Sequence, residues 1–380
     1  MRESEPTRLL RELIALPSIN PAFAPGDAVH SGEATVADYL AALAAQCGLD
    51  VDLQEVRPGR RNVWITLRAR QKATRRIVLA PHIDTVWATE ITPALFTPRI
   101  VGDRLHGRGA CDTKGCVAAM VSCLYQMARD GIRPDHTEIV FIGLIDEEHG
   151  QLGSRAVAAS NLKADLAIVG EPTRLKVITA HKGDYWLRLI TNGRSAHGST
   201  PHLGDNAITR MAAVVQLIET DYARQLGERS HPLLGHPTIN TGTISGGTQP
   251  NVVADRCEIS VDRRMIPGET EASVRKELKS LFAKHRLRVT FDEFKTAPAP
   301  SLETDPELPA VQQLLKLARQ KAPLGADFFC DAAILAAGGI PSVVFGPGDI
   351  AQAHTADEWI SIKMLERGQK MLRRYLEEQP

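Results

Sequence analysis

A change of pattern near residue 180 constrains this chain more than any other feature. Before it, short β-branched runs (Asn62–Arg68, Ile77–His82, Thr137–Ile145 and Leu166–Val169) alternate with helix-like segments, Glu33–Cys47 and Gly115–Arg129, each closed by a glycine, Gly48 and Gly131. That alternation builds a mostly parallel sheet with helices on both faces, the α/β class. Beyond it the order becomes strand Lys182–Thr191, helix Asp205–Ile218, strands Thr238–Ser245 and Cys257–Arg263, helix Glu271–His285 and strand Leu287–Phe294. This β-α-β-β-α-β succession is a self-sufficient unit of ferredoxin-like type. The first pattern then resumes with segments Pro309–Arg319 and Cys330–Ala337, a strand at Ser342–Phe345 and a closing helix from about Glu358. One α/β domain, residues 1–180 and 294–380, is therefore expected to be interrupted by an inserted domain at 181–293, with the proline-rich stretch 296–301 as the return linker.

Length and charge agree with this division and narrow the function. A chain of 380 residues exceeds one ordinary domain. Lys plus Arg and Asp plus Glu both number 45, so no positive field gathers phosphates, and no nucleic-acid partner is expected. No run of 18 apolar residues and no secretory core is present, which predicts no membrane partner and a cytoplasmic location. The six cysteines form no Cys-x-x-Cys pair and read as small buried apolar residues.

The ends of the expected strands carry the chemistry. In open α/β sheets ligands bind beyond the carboxyl ends of the strands. Here RIVLAPHIDTV places His82 and Asp84 at one end, FIGLIDEEHG places Glu147 and Glu148 at another, DLAIVGEPT adds Glu171, and His354 follows a further strand. The loop HGRGACDTKG adds Asp112. Each alone has an ordinary explanation: a hydrogen-bonded strand-end histidine, a solvated Glu-Glu turn, an aspartate helix cap. Their convergence on one edge is what favours a metal centre of two imidazoles and several carboxylates, suited to zinc, cobalt or manganese.

Five ordered motifs, His82-Ile-Asp84, Gly107-Arg-Gly-Ala-Cys-Asp112-Thr-Lys-Gly115, Asp146-Glu147-Glu148, Gly170-Glu171-Pro-Thr173 and Ala353-His354, make the chain resemble a known group along nearly its whole length. That group is the zinc-dependent metallopeptidase and deacylase family of acetylornithine deacetylase, succinyl-diaminopimelate desuccinylase, aminoacylase and glutamate carboxypeptidase. The resemblance implies a di-zinc exopeptidase-like catalytic domain and an inserted lid or dimerisation domain. It implies two divalent ions, Zn2+ first and Co2+ or Mn2+ as substitutes, with Asp112 bridging, His82 and Glu171 on one ion, and Glu148 and His354 on the other. Glu147 would be the general base and Asp84 would orient His82. Two ions about 3.5 to 4 Å apart share a water, lower its pKa from about 15.7 towards neutrality and polarise the scissile carbonyl.

In the inserted domain, Gly193-Arg-Ser-Ala-His197 resembles the segment whose histidine reaches the partner subunit's site and stabilises the oxyanion, which implies a homodimer. Asn251 and Arg264 fall where relatives bind the substrate carboxylate, Arg264 being preferred over Arg263, which reads as an exposed or inter-strand charge. Thr113 stands where relatives commonly have methionine, beside what is often a cis peptide, and 325–329 (Gly-Ala-Asp-Phe-Phe) falls in their substrate pocket. The expected function is removal of an N-acyl group from a small amino acid with a free carboxylate, by attack of a metal-generated hydroxide. Gly346-Pro-Gly348 and Ala351-Gln-Ala-His354 favour the acetylornithine deacetylase type. A dipeptidase, a carboxypeptidase or a desuccinylase is the alternative within the family. A dinucleotide-dependent oxidoreductase fails because the third fingerprint glycine would fall on Asp112. A noncatalytic relative would not need Glu147.

Overall fold

A computed structural model of the chain describes residues 3–27, 29–87, 91–293 and 297–380. Met1, Arg2, Phe294 at the end of an expected strand and Thr296 at the start of the expected linker lie outside these residues. The chain separates into two compact units, residues 1–179, 304–324 and 330–380, and residues 180–303 with 325–329. The second unit thus runs ten residues further than expected, to Glu303, and takes in Gly325–Phe329, where the sequence pattern placed its edge at residue 293.

The first unit opens with helices α1 (Glu5–Ile14) and α2 (Ala34–Gln46), then β1 (Asp50–Arg57), β2 (Arg60–Leu67), β3 (Arg75–Leu79), β4 (Arg99–Val101), β5 (Arg104–His106), α3 (Lys114–Arg129), β6 (Thr137–Gly143), α4 (Leu152–Ala159) and β7 (Leu166–Val169), and the division at residue 180 falls within β8 (Ile178–His181). Gly48 (φ +71°) and Gly131 (φ +68°) do end α2 and α3, in a backbone region where an L side chain is strained. Strands β6, β3 and β7 pair in parallel, while β1 and β2 extend the sheet antiparallel beyond β6. Helix α3 packs against α1 at its buried face, and its Val117, Met120, Cys123 and Leu124 belong to one apolar core with Ile77, Leu79, Ile139 and Phe141 of the sheet. Five of the six cysteines are buried and all six are free thiols.

The second unit contains β9 (Gly183–Asn192), α5 (Ala207–Leu217), α6 (Ala223–Gly227), β10 (Thr238–Gly246), β11 (Arg256–Met265), α7 (Glu271–Lys284) and β12 (Thr290–Glu293). Its antiparallel sheet has the order β10-β11-β9-β12, the strand order of a ferredoxin-like fold. Asn206 caps α5, its Oδ1 accepting the backbone N–H groups of Ile208 and Thr209 at 2.9 and 3.2 Å. Asn206→Ala should therefore lower the stability of this unit by about 1 kcal/mol, read as a fall in the denaturation midpoint, whereas an unchanged midpoint would deny the cap any weight. Arg263 corrects the sequence reading. It is fully buried, its Nη2 lies 2.7 Å from Glu269 Oε1, and Tyr222 neighbours it. It shares the inward face of β11 with Cys257, Ile259, Val261 and Met265, and at period two that run already places it inside.

The chain returns through β13 (Leu302–Glu303), α8 (Pro309–Leu317), β14 (Leu324–Ala326), α9 (Asp331–Ala337), β15 (Ser342–Val344), β16 (Trp359–Ser361) and α10 (Ile362–Glu377). In the first unit β15 joins β7 in parallel, so the central strands β6, β3, β7 and β15 all end on one edge. Strand β16 completes a small sheet with β5 and β4. The closing helix thus starts at Ile362, and Glu358 precedes a strand. Among the described residues no helix is long and apolar enough to cross a membrane.

Candidate metal centre

Backbone pairing continues past β3 and fixes the first of the expected ligands. Ala80 N–H donates to Ile168 O at 2.9 Å, Leu144 N–H to Pro81 O at 2.9 Å and Ile83 N–H to Leu144 O at 2.8 Å, so the His82 segment is held between its neighbours. At the end of β6 the chain turns at Asp146 (φ +67°), whose carbonyl accepts the N–H groups of Gly150 and Gln151. That turn presents Glu147 and Glu148. Asp84 holds it: Oδ1 accepts Glu147 N–H at 3.1 Å and Oδ2 accepts Glu148 N–H at 3.2 Å.

Asp112 lies between the two histidines. Its Oδ1 is 3.1 Å from His82 Nε2 and its Oδ2 is 3.4 Å from His354 Nε2. Glu171 Oε1 lies 4.0 Å from His82 Nε2, and Glu148 Oε2 lies 3.2 Å from His354 Nε2. Three sets of ligand atoms gather within 4.8 Å of one another: His82 with Asp112 and Glu171, Asp112 with Glu148 and His354, and His82 with Glu147 and Glu148. Asp112 joins the set of His82 and Glu171 to the set of Glu148 and His354, as a carboxylate expected to be shared would. Thr113 follows Asp112 across a cis peptide bond, and its hydroxyl donates to Gly170 O at 2.9 Å.

The donor set fits divalent cations. His82 Nδ1 lies 3.0 Å from the Asp84 carbonyl oxygen, which can only accept, so Nδ1 carries a proton and Nε2 is the ring atom turned to the cluster, where it would offer its lone pair to a bound cation. Nε2 faces Asp112 Oδ1 at 3.1 Å, a contact that a second ring proton satisfies without metal and that a bound cation would replace. Glu148 Oε1 is buried without a hydrogen-bond partner. Burial, reinforced by the neighbouring carboxylates, pushes Glu147 and Glu171 well above the usual carboxylate range and Glu148 up to about 7. Burial would also depress His82, yet hydrogen bonds to Asp112 and Asp84 overcome it and hold its pKa well above the ordinary value. Hydrogen bonds to Asp112 and Glu148 lift His354 to about 10. Crowded anions that raise one another and their imidazoles are the electrostatics that divalent charge relieves.

Asp84, expected to orient His82, lies at its second ring nitrogen: Nδ1 is 3.0 Å from the Asp84 carbonyl oxygen and 3.4 Å from Oδ1. The carboxylate chiefly ties the Glu147-Glu148 turn and accepts Asn20 Nδ2 at 2.8 Å. Asn20 also donates to Asp146 Oδ1 at 2.9 Å, and Arg60 donates to the same oxygen at 2.9 Å while pairing with buried Glu33. Neither Asn20 nor Arg60 was singled out in the sequence. Lys114 Nζ donates to the carbonyls of Leu13 and Leu16 at 3.0 and 2.6 Å, and burial lowers it to about 7. Asp331, buried on α9 and bonded to Ser154, is raised by burial to about 7.

The remaining expected residues lie in the second unit. His197 is exposed, with Nδ1 2.7 Å from Ser199 Oγ, and its segment bridges to Val252, while Gly198 N–H donates to Asn251 O at 2.7 Å. His197 and Asn251 thus occupy neighbouring loops, which leave β9 at Asn192 and enter β11 at Arg256. Arg264 sits at the other end of that strand pair, opposite Asp184, about 25 Å away along the sheet at some 3.3 Å per residue. Its guanidinium is engaged by Asp262, with Nε 3.0 Å from Oδ1 and Nη2 3.1 Å from Oδ2. The structure separates Arg264 from Asn251, which the sequence reading grouped with it.

A parallel sheet whose strand ends gather two imidazoles around a shared carboxylate defines a metallohydrolase. The chain belongs to peptidase family M20/M25/M40, whose model matches residues 78–378. It is 33% identical over 365 residues to an acetylornithine deacetylase of Edwardsiella ictaluri, spanning 93% of this chain and 92% of that one. It is 31% identical over 378 residues to an acetylornithine deacetylase of Proteus mirabilis, spanning 97% and 95%. In fold it is similar to a tripeptidase from Staphylococcus aureus (TM-score 0.80, 22% identity, 99% of this chain and 98% of that one). A Bacillus subtilis protein described as a dinuclear metal binding peptidase is similar too (TM-score 0.70, 14% identity, 98% and 96%).

Proposed function

We propose that the protein is a di-zinc amide hydrolase that removes the N-acyl group from a small amino acid, as its acetylornithine deacetylase relatives are named for doing. The observation that carries this reading is Asp112 facing His82 and His354 with its two oxygens, beside Glu147. His82 and Glu171 would hold one ion and Glu148 and His354 the other, with Asp112 able to serve both. Two divalent ions, when bound, lower the pKa of water towards neutrality, polarise the scissile carbonyl and offset the anionic crowding around Glu147. Glu147 takes a proton from the attacking water on a carboxylate oxygen and returns it to the leaving nitrogen, so that amide and water become carboxylic acid and amine. Asp84 keeps Glu147 aimed by holding its backbone.

The second unit serves as lid and dimerisation domain. His197 stabilises the oxyanion and Asn251 and Arg264 contact the substrate carboxylate, Arg264 exchanging Asp262 for the ligand. Because Arg264 and the His197-Asn251 loops lie at opposite ends of one sheet, a centre served by both takes them from two copies of the chain. Mixing inactive His197→Ala and Glu147→Gln subunits should then restore activity through hybrid dimers; no recovery would count against sharing.

The reading as a whole is tested by assaying zinc- or cobalt-loaded protein on Nα-acetyl amino acids, N-succinyl-diaminopimelate and dipeptides. The expected result is the highest kcat/KM on an acetyl amino acid, abolished by a chelator and restored by Zn2+ or Co2+. Preference for a dipeptide would move the protein to the peptidases of its family, and full activity without metal would end the metal mechanism.

A further inference from the structure

Glu358, expected to open the closing helix, is the anion at the centre of a backbone cradle. Its Oε1 accepts the N–H groups of Cys111 and Asp112 at 2.8 and 2.9 Å. Its Oε2 accepts the N–H of Gly109 and the Nη1 of Arg108, both at 2.9 Å. Both side chains are almost wholly buried. The loop that carries Asp112 is therefore wrapped around one carboxylate, and that carboxylate sits four residues beyond His354. A single side chain ties together two segments that bear ligands.

The geometry at Asp112 demands such a tie. A carboxylate that faces two imidazoles with separate oxygens, at 3.1 and 3.4 Å, tolerates little displacement of its backbone. One of the four donors to Glu358 is the N–H of Asp112 itself, so the root of that side chain lies within one hydrogen bond of the cradle. We infer that Glu358, neutralised by Arg108, is a positioning residue that holds the Asp112 backbone where its two oxygens address His82 and His354 together. The inference rests on the reading of these residues as metal ligands. A glutamine cannot replace Glu358, because its amide has one accepting oxygen and its NH2 would face two of the four donors. The cradle is built for a carboxylate.

The test is titration of the metal-stripped full-length protein with Zn2+ and, separately, Co2+, following affinity, stoichiometry and the visible spectrum of bound cobalt. Wild type should bind two ions per chain. Glu358→Gln, folded by circular dichroism, should bind both about 10- to 100-fold more weakly with a shifted cobalt spectrum. Tyr125→Phe, which removes the buried hydroxyl bonded to Leu40 O, is the control for mere loss of stability and should keep wild-type affinity and spectrum. Wild-type affinity and spectrum in Glu358→Gln, or an equal loss in Tyr125→Phe, would overturn the inference. Should Glu358→Gln not fold, Arg108→Gln keeps the three backbone bonds and should show a smaller loss in the same direction; unchanged affinity there would overturn it equally. A wild-type protein that binds neither ion would instead remove the metal reading itself.

Discussion

Glu147→Gln should leave both ions bound and lower kcat by about 10²- to 10⁴-fold, the range a positioned general base supplies. The substitution conserves shape, and the turn that carries residue 147 is held by its backbone, through its N–H to Asp84 and its carbonyl to Gln151 Nε2 at 2.7 Å. What is lost is the oxygen that accepts the proton. Turnover on an acetyl amino acid, measured alongside metal content, decides the matter. Near wild-type turnover would remove Glu147 from the base role. Loss of an ion would instead make it a ligand, an outcome its grouping with His82 and Glu148 makes worth measuring.

Asp112→Ala should have the largest effect on metal content. Because Asp112 directs one oxygen towards each histidine, its removal would strip a ligand from each ion, and stoichiometry should fall from two towards none, with activity falling to background. His354→Ala, which touches only the group with Glu148 and Asp112, should lose one ion and keep the other. Equilibrium dialysis against Zn2+ separates the two variants. Two ions retained by Asp112→Ala would show that the carboxylate is not shared.

The candidate site residues were legible because chemistry and topology coincide in them. His82, Glu147, Glu148, Glu171 and His354 are metal-type residues just past apolar runs, and parallel strands bring such ends to one edge. Helix α3 and the ferredoxin-like order were legible for a related reason: their periodicities of 3.6 and 2 persist over ten residues or more. Strands β4, β5 and β16 have three residues each, too few to display a period, and the small sheet they form went unseen. Glu358 escaped because its partners are mostly backbone N–H groups, which leave no side-chain pattern. Asn20 and Arg60 lie far along the chain from the turn they brace. Arg263 is a different failure. The alternation of β11 assigned it to the inner face, and a prior that charges face water was allowed to outweigh the period.

The expected ligands span residues 82 to 354 and come from the ends of several separate strands. An unfolded chain therefore offers no comparable site. Ions selective for the native state shift the folding equilibrium by RT ln(1 + [L]/Kd), about 2.7 kcal/mol for one site at a hundredfold excess over Kd. The centre that performs the chemistry thereby also acts as a clasp across most of the sequence, and the cell's supply of metal would set how long the folded enzyme persists.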